Sequence, residues 1–295
     1  MELRHLRHFV AAAEELNLTR ASQRLNISQP AVSRQIRELE CELGSQLFVR
    51  QRFGLSLTPA GEKFFHSAQT ILLNCEEAVR AFKEAASGRS ELRIGFITTA
   101  LSSILGAALS RLNADHPGID VTVHEMPPGD QITALRYRQI DVGFLGNPCD
   151  ALRAEFEMIV VKNVRLQAAL PALHVLSQRA EIGLEELKKD DFIGYLEDKF
   201  PGRNRTISDA CAVSGFHPKL VFKAGSLMEA VGMIGLGKGV CLMPSDVIGL
   251  PHPNVVFIPL LDKLESIRLA AAWLHTNTNT AIPKLLDCLL DRAAT

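Results

Sequence analysis

Polar side chains able to grip an anionic polymer gather between Thr19 and Arg37. Gln29, Ser33 and Arg34 recur with Pro30 and Arg37 in the segment SQPAVSRQIRELECEL that starts at Ser28. Amides, hydroxyls and guanidiniums near the start of such a segment are the groups that hydrogen-bond base edges in a DNA major groove. Thr19 and Arg20 just before it, and Arg50 and Arg52 after it, suit phosphate contact.

Helices must hold those groups. Val32, Ile36, Leu39 and Leu43 are spaced four, three and four apart, so one face of a helix is apolar and the other carries the arginines. Ser28 can cap it with its hydroxyl, and Pro30 suits its first turn. A shorter helix precedes it, with Thr19 as its cap and Ala21 and Leu25 facing inward. Asn26 can adopt the left-handed conformation that ends a helix, so Asn26 and Ile27 form the turn. The pattern alone also fits two ordinary packed helices with solvated arginines.

Leu47 to Thr58, LFVRQRFGLSLT, reads as a small hairpin turning at Gly54. Arg50 and Arg52 lie at its edge, either as a phosphate-gripping wing or as plain solvated charges. Residues 1–58 carry eight arginines, no lysine and six glutamates, a balance of +2 in a chain whose net charge is −1. The basic footprint is therefore local, and the remaining residues sum to −3.

A long helix is expected over 59–86, with Thr58 as cap and Pro59 in its first turn. Phe64, Ala68, Ile71, Cys75, Ala78, Phe82 and Ala85 alternate spacings of four and three, a heptad seam. The helix would run about 42 Å. One apolar stripe of that length needs a partner, either a second copy or the chain's own C-terminal region. Ser87 to Glu91 then breaks the periodicity as a hinge.

Beyond it strands and helices alternate. Strands are expected at Leu92–Ile97, Ile119–Val123 and Asp141–Leu145, with helices at about Leu101–Asn113 and around Ile132 and Leu135. A similar unit follows from Val164, with strands at Leu166–Leu170, Phe192–Tyr195, Leu220–Lys223 and Val240–Met243. Ile267–Leu274 returns as a strand to the first unit and Ala281–Arg292 forms a last helix. This order implies parallel sheets covered by helices. Ligands of such sheets bind beyond the carboxyl ends of the strands, here between two lobes. Thr98 and Thr99, between strand and helix, form a seat for a carboxylate. Phe200, Pro201, Gly202 and Arg203, and also Gly225 and Ser226, hold comparable positions, and Phe144 could supply an apolar wall.

The chain resembles the LysR-type transcriptional regulators. The resemblance is tightest over LRHLRHFVAAAEELNLTRASQRLNISQPAVSRQIRELECELGSQLFVR and LTPAGEKF, and looser over LRIGF, IDVGF and AVGMIGLGKGVCLMP. It covers essentially the whole sequence. It implies an α/β protein with an all-α-dominated winged helix-turn-helix over 1–58, a linker and dimerisation helix over 59–86, and a hinge over 87–91. A two-lobed effector domain like a periplasmic binding protein follows over 92–295, with lobe I at 92–163 and 268–295 and lobe II at 164–267. It further implies double-stranded promoter DNA, a small organic acid or aromatic effector, RNA polymerase, and self-association as dimer and tetramer. In relatives that bind aromatic acids the 200–203 and 225–226 positions line the cleft. Pro128 stands where several relatives carry a hydroxyl, and Leu145-Gly146-Asn147 lacks their arginine, leaving Arg203 as the counter-charge.

Other classes fit poorly. The composition, 47% hydrophobic and 22% charged, is that of a soluble globular chain, and no stretch approaches a membrane span. Arg4 and Arg7 interrupt any signal-peptide core, so an exported solute-binding protein is not expected. The six cysteines form no CxxC pair, and Cys211 has no partner eight or nine residues away, so neither a metal site nor a peroxide-sensing pair is expected. Gly235, Gly237 and Gly239 lack nucleotide-loop spacing. No cofactor or catalytic set stands out, and reduced thiols suit the cytoplasm.

Overall fold

A computed structural model describes residues 1–51, 54–100, 104–249 and 252–290. The chain divides into two compact units, Met1–Ser87 and Gly88–Thr295.

The first unit contains α1 (Leu3–Glu15), α2 (Leu18–Leu25), α3 (Gln29–Leu43), the hairpin β1 (Phe48–Gln51) and β2 (Gly54–Leu57), and α4 (Pro59–Ser87). Its core centres on Phe9, fully buried, with the rings of Phe48 and Phe64 at 5.4 and 5.3 Å. Val32, Ile36 and Leu39 of α3 and Ala21 of α2 close onto it. Leu43, expected on the same face, is 39% exposed, because it falls in the last turn, beyond the reach of the core.

The caps differ from expectation. Asn17, not Thr19, starts α2: its side-chain oxygen accepts hydrogen bonds from the N–H groups of Thr19 and Arg20, at 2.9 and 3.1 Å. Ser28 precedes α3 but makes no side-chain cap; its carbonyl accepts from Ala31 and Val32 instead. Asn26 does take the left-handed conformation, at φ 58°. The hairpin pairs Phe48 with Leu57 and Gln51 with Gly54, and the N–H of Leu55 donates to the carbonyl of Leu16 at 3.0 Å. A Cβ on Gly54 would press on that carbonyl, so the close approach of hairpin to α1 requires glycine.

Thr58 caps α4, its hydroxyl accepting from Gly61 N–H at 2.9 Å. The first half of the heptad seam packs inward, with Ala68 fully buried and Phe64 against the core. The second half faces solvent: Ile71 is 37% exposed and Phe82 74%. Ala85 lies among residues whose side chains are not described.

The second unit begins with β3 (Ser90–Phe96), α5 (Thr98–Ala100), α6 (Gly106–Asp115), β4 (Ile119–Glu125), α7 (Pro128–Arg136), β5 (Val142–Gly146), β6 (Phe156–Val164) and β7 (Leu166–Pro171). It continues with β8 (Asp191–Tyr195), α8 (Arg203–Val213), β9 (Lys219–Ala224), α9 (Leu227–Gly235), β10 (Cys241–Pro244), β11 (Val255–Pro259), β12 (Ile267–Leu274) and α10 (Ala281–Leu290). The strand begins at Ser90, inside the segment expected to be a hinge, so the irregular part is shorter than the sequence suggests. β6 and β11 lie in no element read from the sequence.

Lobe I is the sheet β4-β3-β5-β12-β6, parallel from β4 to β5 and antiparallel beyond. α6 and α10 pack together over one of its hydrophobic clusters, and α7 contributes to the other. Lobe II holds β10-β7-β11 and the parallel pair β8-β9, joined by a bridge between Phe192 and Val240. Its strand order is therefore β9-β8-β10-β7-β11, the same plan as lobe I. The chain passes between lobes twice, from β6 into β7 and from β11 into β12. The carboxyl ends of the parallel strands and the starts of α5, α7, α8 and α9 line the space between the lobes.

Candidate functional site

On α3 the expected polar face is in place. Ser28, Gln29, Pro30, Arg34 and Arg37 are exposed and Ser33 is half-buried; Pro30, Arg34 and Arg37 lie opposite the buried Val32, Ile36 and Leu39, with Gln29 and Ser33 at the flank. The Arg34 side chain is 70% exposed, with its Nε 3.8 Å from Glu38. Arg37 donates from Nε to the Ser33 carbonyl at 3.2 Å, which leaves its outer nitrogens free to turn outward. Thr19 and Arg20 are exposed at the start of α2, but Arg20 bonds to the Glu15 carboxylate at 3.2 Å. Arg24, which the sequence did not single out, is likewise tied to Glu14 at 2.6 Å. Arg50 is in β1 opposite Leu55, and Arg52 lies outside the described residues. The face can meet a polyanion through Gln29, Arg34 and Arg37, while neighbouring arginines are partly neutralised from within.

In the second unit a narrow cleft brings together Thr99, Pro128, Phe200, Pro201 and Arg203 from the expected set. Its other walls are mainly apolar: Ile97, Val164, Leu227, Ile267 and Leu269. Sequence reasoning missed Asn147 and Asp246, which line the same cleft. Both follow the carboxyl end of a strand, β5 and β10, and that position was the available signal. Thr98 and Ser226 meet on an adjoining pocket with Glu125, and Gly202 lines a wider groove with Pro128 and Pro201.

Two expectations are corrected. Phe144 is fully buried within the lobe I core with Val142 and Leu269, because β5 is covered on both faces and its side chain points into a helix layer. Gly225 lines none of the described pockets; its N–H donates to the Glu229 carboxylate at 2.6 Å.

The chain's own carboxylates take up donors at two strand-to-helix positions. The Thr98 hydroxyl donates to Glu125. Glu197 accepts from the N–H of Gly202 and, at 3.3 Å, from Asn204. The lobes also touch directly. Gly129 donates to the Lys199 carbonyl at 2.9 Å, and Lys199 pairs with Asp130 at 2.9 Å. A Cβ on Gly129 would collide with the Asp198 carbonyl.

Arg203, half-buried, lies 5.8 Å from the centre of the Tyr195 ring. Burial holds the Tyr195 phenol well above its usual range and pushes the Cys241 thiol beside it up to about 11. Burial likewise raises the Cys211 thiol to about 12. Both thiols stay protonated at neutral pH and are poor nucleophiles. Among the described residues no group of three His, Cys, Asp or Glu side chains could hold a metal ion. Among them, too, no helix is long and apolar enough to cross a membrane.

Known proteins match along the whole length. Residues 3–62 match the bacterial regulatory helix-turn-helix proteins of the lysR family, and residues 85–294 the LysR substrate binding domain. The transcriptional regulator BenM of Acinetobacter baylyi is 32% identical, over 89% of this chain and 86% of its own. The Hca operon transcriptional activator HcaR of Escherichia coli is 30% identical over 100% of this chain and 99% of its own. Among solved structures, full-length BenM superposes with a TM-score of 0.59 at 30% identity, covering 100% and 97% of the two chains. CbnR, a LysR family transcriptional regulator, shares the fold with a TM-score of 0.78 at 22% identity, covering 100% of both chains.

Proposed function

Because the chain belongs to the LysR family of transcriptional regulators, as a DNA-binding regulator with an effector-binding domain and not an enzyme, we propose that it binds double-stranded promoter DNA as an oligomer and alters transcription when a small molecule settles between its lobes. In this reading the head is residues 1–58, the dimerisation helix 59–86 and the effector domain 92–295. Gln29, Ser33 and Arg34 face base edges. Thr19, Arg20, Ser28, Arg37, Arg50 and Arg52 grip the backbone around them, with Pro30 packed against the DNA beside them.

The exposed second half of the α4 seam supports self-association, since Ile71 and Phe82 stand in water at 37% and 74% exposure in a single chain. A dimer then offers two reading helices to successive major grooves, and pairing of dimers spans a longer, bent site. Thr98, Thr99, Pro128, Phe200, Pro201, Gly202, Arg203 and Ser226 surround the effector, a small organic acid or aromatic metabolite. Its binding shifts lobe packing and so the spacing of the heads. RNA polymerase is the further partner such a switch acts on, and the cytoplasm is where it works.

The observation that carries this reading is the solvent-facing Gln29–Arg34–Arg37 surface backed by the buried Val32–Ile36–Leu39 stripe. A gel-shift assay on DNA upstream of the protein's own gene tests it. A specific complex that weakens with added salt is expected. Absence of any specific shift at low salt, with folded protein, would overturn it.

A further inference from the structure

Two arginines of the head are held by carboxylates of its own first helix. Glu14 and Glu15 end the acidic side of α1, and Arg20 and Arg24 stand four residues apart on α2, so both arginines share one face. Arg24 Nη1 lies 2.6 Å from Glu14 Oε2 and 3.7 Å from Glu15 Oε1. Arg20 donates from Nε to Glu15 Oε2 at 3.2 Å and from Nη2 to the Glu15 carbonyl. The acids are braced from a third helix: Glu14 Oε1 accepts from Nε2 of Gln69, a buried residue of α4, at 3.2 Å. The arginine side chains stay 62% and 53% exposed, within reach of an incoming phosphate. On α3 the pairing is looser. Arg34 stands 3.8 Å from Glu38, and Arg37 has the Ser33 carbonyl as its partner instead of an acid.

An arginine that neutralises a phosphate releases a counterion, and this gain is the same on every sequence. Arg20 and Arg24 can make it only by giving up a carboxylate, and the carboxylate left behind then repels the phosphate. On a random sequence nothing else offsets that exchange. On the right sequence the base contacts of α3 do.

We infer that Glu14 and Glu15 are specificity-determining residues, which hold Arg20 and Arg24 back from phosphates so that the head grips DNA fully only where α3 also finds its bases. The inference rests on the promoter-binding reading above. In the specific complex Arg20 exchanges Glu15 for a phosphate; on any other sequence it stays paired. The carboxylates thus act against the wrong partner and leave the right one nearly untouched.

Anisotropy titrations of the full chain test this, on the upstream DNA and on a scrambled duplex of the same length, over a range of salt. Glu14→Gln and Glu15→Gln remove the charge and keep the shape. Each should raise affinity for the scrambled duplex about two- to fivefold, the effect of one exposed ion pair. The salt dependence on that duplex should steepen by about 0.9 for each arginine released. Affinity for the upstream DNA should rise less, so the ratio between the two falls. Glu62→Gln removes an equal charge from the first turn of α4, where no arginine pairs with it among the described residues, and should leave the ratio as it was. Arg24→Ala should change little in the parent chain but cancel the gain of Glu14→Gln. Damage to folding weakens both duplexes and cannot produce a gain, and either glutamate variant stands alone if the other fails to fold. An unchanged ratio and slope in the folded glutamate variants, or the same gain from Glu62→Gln, would overturn the inference while the regulator reading stands. A parent chain that binds the two duplexes alike at low salt overturns the promoter-binding reading, and this inference with it.

Discussion

Arg34 and Arg203 both stand towards the N-terminal end of a helix, and they are set up in opposite ways. Arg34 projects from α3 with 70% of its side chain exposed, and its nearest carboxylate, Glu38, is 3.8 Å away. Arg203 opens α8 half-buried over Tyr195, with its Nε–H sealed from water. The first can be approached from solvent by any polyanion, so its selectivity depends on how firmly α3 is held underneath. The second can be reached only by a molecule that fits between the lobes, so its selectivity lies in the walls. One region separates the reading group from its support; the other makes the support part of the reading.

That difference predicts where damage is greatest. In the head, the support outweighs any reading residue. Phe9→Ala removes the ring that Phe48, Phe64 and Phe65 pack around, at a cost of about 3–5 kcal/mol. Urea denaturation should show an early transition for the first unit, with the second unit unchanged. A single shifted transition for both would break the comparison, because the regions would then share one folding unit.

Next in size is the pair of arginines themselves. Arg34→Ala should cost about 1–3 kcal/mol of specific DNA affinity and relax base preference at one position. Arg203→Ala should leave DNA affinity as it was and abolish the change that a bound acid produces. Titrations on specific and scrambled DNA, with and without ligand, check both. If Arg34→Ala weakens all sequences equally, Arg34 is a phosphate contact and the face reads bases through Gln29 and Ser33.

Much of the head is readable in the sequence because an amphipathic helix declares both its faces. Once Val32, Ile36 and Leu39 are known to point inward, Arg34 and Arg37 have nowhere to go but out. The cleft is less readable because its groups come from segments far apart in the chain, and buried strands carry no alternation. β5 is covered on both faces, so nothing in VGFL tells that Phe144 enters the lobe I core instead of the cleft. β6 was missed because its partner, β12, begins more than a hundred residues later. Gly225 reads as a ligand seat until the Glu229 side chain is seen to fold back onto it. Three residues after the start of the motif, that glutamate was visible as a capping-box partner, and it was the available clue.

Caps give a smaller and sharper version of the same contrast. Asn17→Ala removes the acceptor of two hydrogen bonds at the start of α2 and should lower the stability of the first unit by about 1 kcal/mol. Ser28→Ala removes a hydroxyl that caps nothing, so a change below about 0.5 kcal/mol is expected in stability. Any larger loss of DNA affinity in Ser28→Ala would then report a contact with the phosphate backbone. Thermal unfolding set beside binding on the same two variants distinguishes support from reading.

The smallest effect is in pH, and it runs in opposite directions in the two units. His8 sits on α1 with Nδ1 buried and without a hydrogen-bond partner among the described residues. Burial first, then His5 and Arg4, lower its affinity for a proton below the ordinary 6.5. A base held below its unfolded value favours the neutral form, so the stability it contributes is present above pH 6.5 and is lost as pH falls through the lowered value. His275 in the second unit is raised above 6.5, first by its bond to the Arg153 carbonyl and then by Glu157 at 3.0 Å. Its contribution is fully present below 6.5 and is lost as pH rises through the raised value. Acidification should therefore loosen the head while favouring the effector unit. Melting of His8→Gln and His275→Gln beside the parent chain, at pH values either side of 6.5, isolates each share. His8→Gln should flatten the acid loss of the first unit. If it leaves that loss intact, the two regions do not differ in proton linkage at this residue, and the head's acid sensitivity arises elsewhere on α1.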